Sequence, residues 1–273
     1  MKKSDFDFAT KLANTMDWNM APEDFQFNLN LEPKGCFVVC NGRERVGIAT
    51  CVSFGQIGWF GNLIVKEKYR NKGVGSLLVR HALRYLEEKG AETVGIYAYR
   101  DLVKFYGKLG FKTEQEFTVY SAETLGSMKA EIMPTVGLID VGELERFDAA
   151  CFGGERKRLL DSIILGKGNL SYVKREENTV EGYVAATVYE QMAWVGPMIC
   201  REGRSDVAIE LLGAVLPNLA GKSVYAVLPK KETVAAGKLL SAGFKEDFSV
   251  LRMFSGPSVA KNCIYMAESL ERG

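Results

Sequence analysis

Seven consecutive residues, Arg70-Asn71-Lys72-Gly73-Val74-Gly75-Ser76, combine two glycines and two cations just ahead of a helical run. Glycine lets a backbone turn tightly and approach a ligand closely. The first N–H groups of a helix lack intrahelical partners and carry the positive end of its dipole, so they suit a phosphate. Arg70 and Lys72 add charge beside them. Further on, Tyr106 stands within Phe105-Tyr106-Gly107-Lys108-Leu109-Gly110-Phe111. A phenol of ordinary pKa, ~10, is protonated near neutral pH and can give a proton to a leaving group. An anion site followed by a proton donor suits group transfer from a phosphorylated carrier.

Four elements must position these residues. The apolar run Trp59-Phe60-Gly61-Asn62-Leu63-Ile64-Val65 predicts a strand ahead of the loop. Val74, Leu77, Leu78, His81, Ala82, Tyr85 and Leu86 share one stripe at helical spacing, which predicts a helix from about Val74 to Lys89. Gly90 then serves as its C′ residue. Thr93-Val94-Gly95-Ile96-Tyr97-Ala98 predicts a second strand, and Tyr106 falls on a short helix after it.

A dinucleotide fingerprint needs a third glycine, where this chain has Leu78, and no G-K-S/T follows a glycine loop. What remains is R-x-x-G-x-G between strand and helix, with Tyr106 to Phe111 downstream. That pattern resembles motif A of the GNAT superfamily of acetyl-CoA-dependent N-acetyltransferases. The resemblance implies acetyl-CoA as cosubstrate and a mixed, largely antiparallel twisted sheet flanked by helices. It implies that the loop Arg70, Asn71, Lys72, Gly73, Val74, Gly75 and Ser76 holds the pyrophosphate. The free edge Leu63, Ile64 and Val65 would bind pantetheine, a backbone N–H there polarising the thioester carbonyl. Tyr106 would be the general acid. The family often has Asn where this chain has Tyr99, so Tyr99 or Arg100 takes over that contact. Family members usually begin with a strand, whereas the helix signal here starts at Ser4.

The pattern recurs. Met192 to Ile199 echoes residues 59–65, Asp206 to Leu219 echoes 74–89, Val224 to Leu228 echoes 93–97, and Lys238 to Phe244 echoes 105–111. Internal similarity at this length predicts a tandem duplication. The fold class expected is α/β (α+β), as two GNAT folds in tandem. The boundaries are 1–121 for a catalytic domain, 122–132 for a linker and 133–273 for a degenerate copy. Arg201-Glu202-Gly203-Arg204-Ser205 replaces the double-glycine loop, and Leu239 stands where Tyr106 stood, so catalysis belongs to the first copy.

The general base is less evident. His81 is the only histidine and reads as a packing residue. No acid occurs within 57–65, where many relatives carry one. Asp17, Glu23 and Asp24 lie near the first two helices, which border the acceptor site in this fold. Asp148 and Glu155 serve if the second copy closes over the first, and a water chain is a further route. Trp18, Phe25 and Phe27, or Phe152, Tyr172 and Tyr183, can shape an acceptor pocket or simply pack a core. Arg156 or Arg158 would favour carboxylate-bearing amines, an acidic pocket polyamines.

Composition narrows the classes. A net charge of +1 gives no basic surface for nucleic acid, and no apolar run reaches the ~20 residues of a membrane span. The opening residues lack a signal-peptide core, and the six cysteines form no C-x-x-C pair. No metal is therefore expected. Cys36, Cys40, Cys51 and Cys200 read as reduced core thiols of a cytoplasmic protein. The expected activity is transfer of acetyl to a primary amine of a small molecule, or of a peptide, by a monomer or homodimer. The alternatives are a non-catalytic acyl-CoA-binding regulator, which would not need Tyr106, and a nucleotide-dependent oxidoreductase.

Overall fold

A computed structural model describes residues 1–137, 141–259 and 263–273. The first half runs α1 (Phe6–Ala13), α2 (Pro22–Leu31), β1 (Cys36–Asn41), β2 (Glu44–Phe54), β3 (Ile57–Val65), α3 (Val74–Glu88), β4 (Thr93–Ala98), α4 (Val103–Gly107) and β5 (Phe111–Ala122). The second runs α5 (Val141–Phe152), α6 (Lys157–Ile164), β6 (Leu170–Glu176), β7 (Thr179–Val188), β8 (Met192–Arg201), α7 (Ser205–Val215), β9 (Ser223–Pro229), α8 (Thr233–Ser241), β10 (Lys245–Ser255) and β11 (Cys263–Met266). No strand precedes α1 among the described residues, as the early helix signal implied. Ser4 does not cap α1. It sits in a single 3-10 turn, where the Lys2 N–H donates to the Asp5 carboxylate instead.

Both copies form one sheet of order β1-β2-β3-β4-β10-β5-β9-β8-β7-β6. The copies exchange a strand. β10, from the second copy, pairs antiparallel with β4 and β5, while β5, from the first, pairs with β9. In each copy, then, the strand after the G-F turn completes the other copy's sheet.

The two faces of β3 set the layers. Gly58, Phe60 and Val65 turn toward α3 and α4, in a core with Leu78, Val79, Ala82, Leu86, Tyr106 and Phe111. Ile64 packs on the opposite face with Phe6, Leu12 and Phe25 of α1 and α2. Trp59 joins a core at the junction of the copies with Phe117, Phe152, Tyr183 and Tyr265. The α3 stripe is rotated from the expected one: Leu77 is 53% exposed, and His81 lies at the surface against the edge of the Phe37 ring. Val79 takes the buried place, because the sheet meets α3 on its Leu78-Val79-Ala82-Leu86 side. Cys36, Cys51 and Cys200 are buried, but Cys40 is exposed beside the Asn41-Gly42 turn.

Candidate functional site

β3 and β4 run parallel and pair only over Ile57↔Thr93, Gly58↔Val94 and Trp59↔Gly95. Beyond Trp59 they part, while β3 stays paired with β2 as far as Val65. Residues 60–65 therefore present an unpaired edge toward the opening. Between the Thr50↔Gly61 and Ile48↔Ile64 pairs, β3 carries one residue more than β2. That bulge is formed by Asn62, at φ 50°, a conformation Asn tolerates better than most residues. Its buried amide donates to Thr50 Oγ1 at 3.1 Å. The bulge re-aims the edge at the opening, where Leu63, Ile64 and Val65 lie.

The loop after β3 leads straight to the mouth of this opening. Asn71 and Gly73 have φ of 60° and 81°, and Gly73 is the N-cap of α3. The Leu77 N–H bonds to the Gly73 carbonyl at 2.9 Å, so the N–H groups of Val74, Gly75 and Ser76 lie ahead of the first intrahelical bond. A Cβ on Gly73 would meet nothing within 4 Å, so the backbone is open to a ligand at this residue. Lys66 and Lys68 are held by Glu44, at 3.1 and 2.9 Å. Arg70 instead donates to the Val65 carbonyl at 3.0 Å, and the Lys72 ammonium rests over the Tyr69 ring. Neither is in an ion pair among the described residues, so both charges remain for an anion. Backbone donors, an open backbone at Gly73 and two uncommitted cations fit a diphosphate.

Tyr106 lies on α4, 6% exposed, edge-on to Phe105 and Phe111. Burial raises its phenol above the ordinary range, which keeps it protonated. Its ring packs in the same core as Val65 and Leu78, under the strand end and the helix that flank the loop. Tyr99 and Arg100 are committed elsewhere. The Tyr99 hydroxyl accepts from Trp18 Nε1 at 3.2 Å, tying the α1–α2 loop to the end of β4, and Arg100 pairs with Glu116.

The carboxylates considered as bases fall into distinct places. Asp148 is fully buried and held by both arms of Arg156, at 3.0 and 2.6 Å, and by the Tyr183 hydroxyl. It is a structural partner with no free face. Glu155 is exposed, its N–H bonded to the Phe54 carbonyl. Asp17 and Glu23 are exposed, whereas Asp24 accepts the Ala21 N–H at 2.8 Å at the start of α2. Arg156 also spends its guanidinium on the Gly273 carbonyl and the Tyr265 hydroxyl, and Arg158 on Leu31 and Glu32. Arg156 is sealed in these contacts, whereas the Arg158 side chain remains 57% exposed.

The equivalent opening in the second copy is filled. β8 and β9 pair from Met192↔Ser223 to Val195↔Ala226 and then part. β11 enters there, pairing Cys263–Met266 with Met198–Arg201 of β8, and the next N–H, Ala267, bonds to Val227 of β9 at 3.0 Å. Residues 268–273 then cross onto β3 of the first copy, against Gly61 and Trp59. The sequence reading missed this segment. Its one signal in the sequence was the apolar run Ile264-Tyr265-Met266-Ala267 followed by the charged residues Glu268, Glu271 and Arg272.

Comparison with known proteins agrees with this geometry. The model of the "Acetyltransferase (GNAT) family" matches residues 7–111, and that of an "Acetyltransferase (GNAT) domain" matches residues 144–265. The "Uncharacterized N-acetyltransferase YitH" of Bacillus subtilis is 23% identical over 206 residues, which is 73% of this chain and 71% of that protein. The crystal structure of a candidate acetyltransferase from Pyrococcus horikoshii superposes with a TM-score of 0.83 at 20% identity, covering 100% of this chain and 94% of the other. A tandem GNAT protein from the clavulanic acid biosynthesis pathway has the same fold, with a TM-score of 0.58 at 16% identity over 92% of this chain and 94% of its own. With a GNAT match to each half, the chain belongs to the GNAT superfamily of acetyl-CoA-dependent acetyltransferases and carries two such domains in tandem.

Proposed function

We propose that this protein moves the acetyl group of acetyl-CoA directly to a primary amine of a small molecule, using the first copy alone. The observation that carries the reading is the asymmetry of the two openings: one has a free strand edge beside an uncommitted helix N-terminus, and the other is closed by β11. In this assignment residues 1–121 are the catalytic domain, 122–132 a linker and 133–273 a non-catalytic partner.

The Val74, Gly75 and Ser76 N–H groups, with Arg70 and Lys72, hold the diphosphate. The edge at Leu63, Ile64 and Val65 pairs with pantetheine and polarises the thioester carbonyl through a backbone donor. The neutral amine attacks that carbonyl, the C–N bond forms, the C–S bond breaks, Tyr106 gives its proton to the departing thiolate, and the proton shed by the new amide nitrogen restores the phenol through solvent. The surroundings favour a cationic acceptor. Asp24, Glu268 and Glu271 lie close enough to interact with Arg272, three carboxylates against one guanidinium. The test is thiol release from acetyl-CoA with a panel of primary amines: a polyamine, an amino acid ester and an arylalkylamine. Amine-dependent release with a matching acetylated product supports the reading. Binding of acetyl-CoA with no transfer to any amine points instead to a non-catalytic acyl-CoA sensor.

A further inference from the structure

The first copy has a carrier site and an acid but no base on β3 (the strand itself carries no carboxylate). Segment 267–273 supplies one from the far end of the chain. It lies on the α1–α2 side of β3, opposite α3 and α4, the side that the proposed function gives to the amine. Gly61 is the second residue past the last β3–β4 pair, and a Cβ there would come within 2.6 Å of Glu271 Cα and Cβ and 2.9 Å of its carbonyl oxygen. Only glycine allows that approach, so the Gly61-Asn62 bulge and Glu271 are fitted to each other. Gly273 reaches the Trp59 ring, whose strand position is the last before the opening.

The segment is held firmly. Arg156 binds the Gly273 carbonyl at 3.0 Å, and the Glu268 N–H closes on the same carbonyl at 2.9 Å. Arg272 binds both oxygens of Glu268, at 2.9 and 3.0 Å, reaches Asn28 of α2 at 3.3 Å, and rests over the Phe27 ring. Glu268 is 2% exposed and doubly paired, so it is structural. Glu271 differs: its side chain keeps 21% exposure where Glu268 is sealed, and it holds Arg272 through one oxygen at 2.8 Å.

We propose that Glu271 is the general base of the acetyl transfer, carried into the first copy's opening by the second copy's terminal segment. The assignment rests on the acetyltransferase reading above. Glu271 takes a proton from the incoming ammonium, and the freed lone pair attacks the thioester carbonyl. The C–N bond forms as C–S breaks, the thiolate leaves with the Tyr106 proton, the second proton that the nitrogen loses on becoming an amide passes through solvent to restore Tyr106, and Glu271 returns its own proton to solvent. The groups facing Glu271 are Arg272 and Glu268 of its own segment and Asp24 of α2; Tyr189, after β7, feels the same charges. Burial raises its carboxyl above the ordinary range, Glu268 and Asp24 reinforce this, and Arg272 opposes it. A carboxylate so raised is a better proton acceptor than an exposed one.

The experiment compares Glu271→Gln with the wild-type protein on two acceptors, an alkylamine that is cationic at neutral pH and hydroxylamine, which is already neutral. The expected result is a fall of roughly 10²–10⁴-fold in kcat with the alkylamine. Hydroxylamine turnover and calorimetric acetyl-CoA affinity stay within a few-fold of wild type. Glu271→Asp recovers part of the loss, and the acidic limb of the wild-type pH profile disappears in Glu271→Gln. Equal losses with both acceptors, or lost acetyl-CoA affinity, make Glu271 structural and overturn the proposal, as does unchanged turnover. If the wild-type protein transfers acetyl to no amine, the acetyltransferase reading fails first, and this assignment with it.

Discussion

Gly73→Val tests the carrier site most directly, and the structure separates its cost to stability from its cost to binding. Gly73 sits at φ 81°, a region where a residue with a Cβ is strained by about 1–2 kcal/mol. No atom lies within 4 Å of the added Cβ, so no clash adds to that figure. The strain is a modest part of a typical stability of about 5–15 kcal/mol, and the variant should fold with Tm lowered by roughly 2–8 °C. Binding should suffer separately, because valine replaces the glycine that caps α3 directly before the Val74, Gly75 and Ser76 donors and bars the close backbone approach a diphosphate needs. A loss of at least ~1.4 kcal/mol, tenfold in Kd, is expected by titration calorimetry with CoA. Gly42→Val is the matched control. Gly42 has φ 59° and an equally open Cβ direction, but it lies in the β1–β2 turn. It should lower Tm similarly and leave Kd alone. If Gly73→Val binds CoA as tightly as Gly42→Val does, the diphosphate does not lie at this loop.

Calorimetry should also return one acetyl-CoA per chain, since β11 fills the second opening; two equal sites would refute that role for β11. Tyr106→Phe should cut turnover by roughly 10²–10⁴-fold with CoA affinity nearly unchanged, and unaltered turnover would make the phenol structural. Arg156→Met strands the buried Asp148 carboxylate and should cost about 3–5 kcal/mol in urea unfolding, with the Arg156→Met/Asp148→Leu double variant recovering much of it. Glu271, whose folded pKa is raised, favours folding below its unfolded pKa and loses that contribution as pH rises through the folded value. Glu271→Gln should therefore gain Tm relative to wild type on going from acidic to neutral pH; a constant difference would refute the linkage.

Most elements were legible because each is written locally. The apolar run at 59–65 falls on β3, the run at 93–98 on β4, and the glycine loop falls at the start of α3. The strand exchange was not legible. β5 and β10 each follow a Gly-Phe turn, and either could complete either sheet without changing the pattern of buried positions. Their true partners are fixed by contacts more than a hundred residues apart, such as Val250↔Phe117. β11 spans only Cys263–Met266, too short to show a period, and its assignment comes from the gap it fills between β8 and β9. For the same reason nothing in the sequence set Glu271 apart from other acids. The glycine loop and the short helix that carries Tyr106 were visible because each is written in residues close in sequence.

The exchanged strands impose an order on synthesis. β5 ends at Ala122 and β10 begins at Lys245, a gap of 245 − 122 = 123 residues. At ribosomal rates of roughly 5–20 residues per second, the first half waits about 6–25 s for the strand that belongs between β4 and β5. Throughout that interval β4 and β5 carry bare edges, and their easiest partners are each other. That premature pairing would close the first sheet without β10 and leave the later copy no place to dock. A nascent chain therefore has two competing products, and a fragment such as residues 1–125 is held permanently at the fork. Released fragments should aggregate or adopt the short-circuited sheet, while the intact chain depends on β10 arriving before the wrong edge-to-edge contact becomes irreversible.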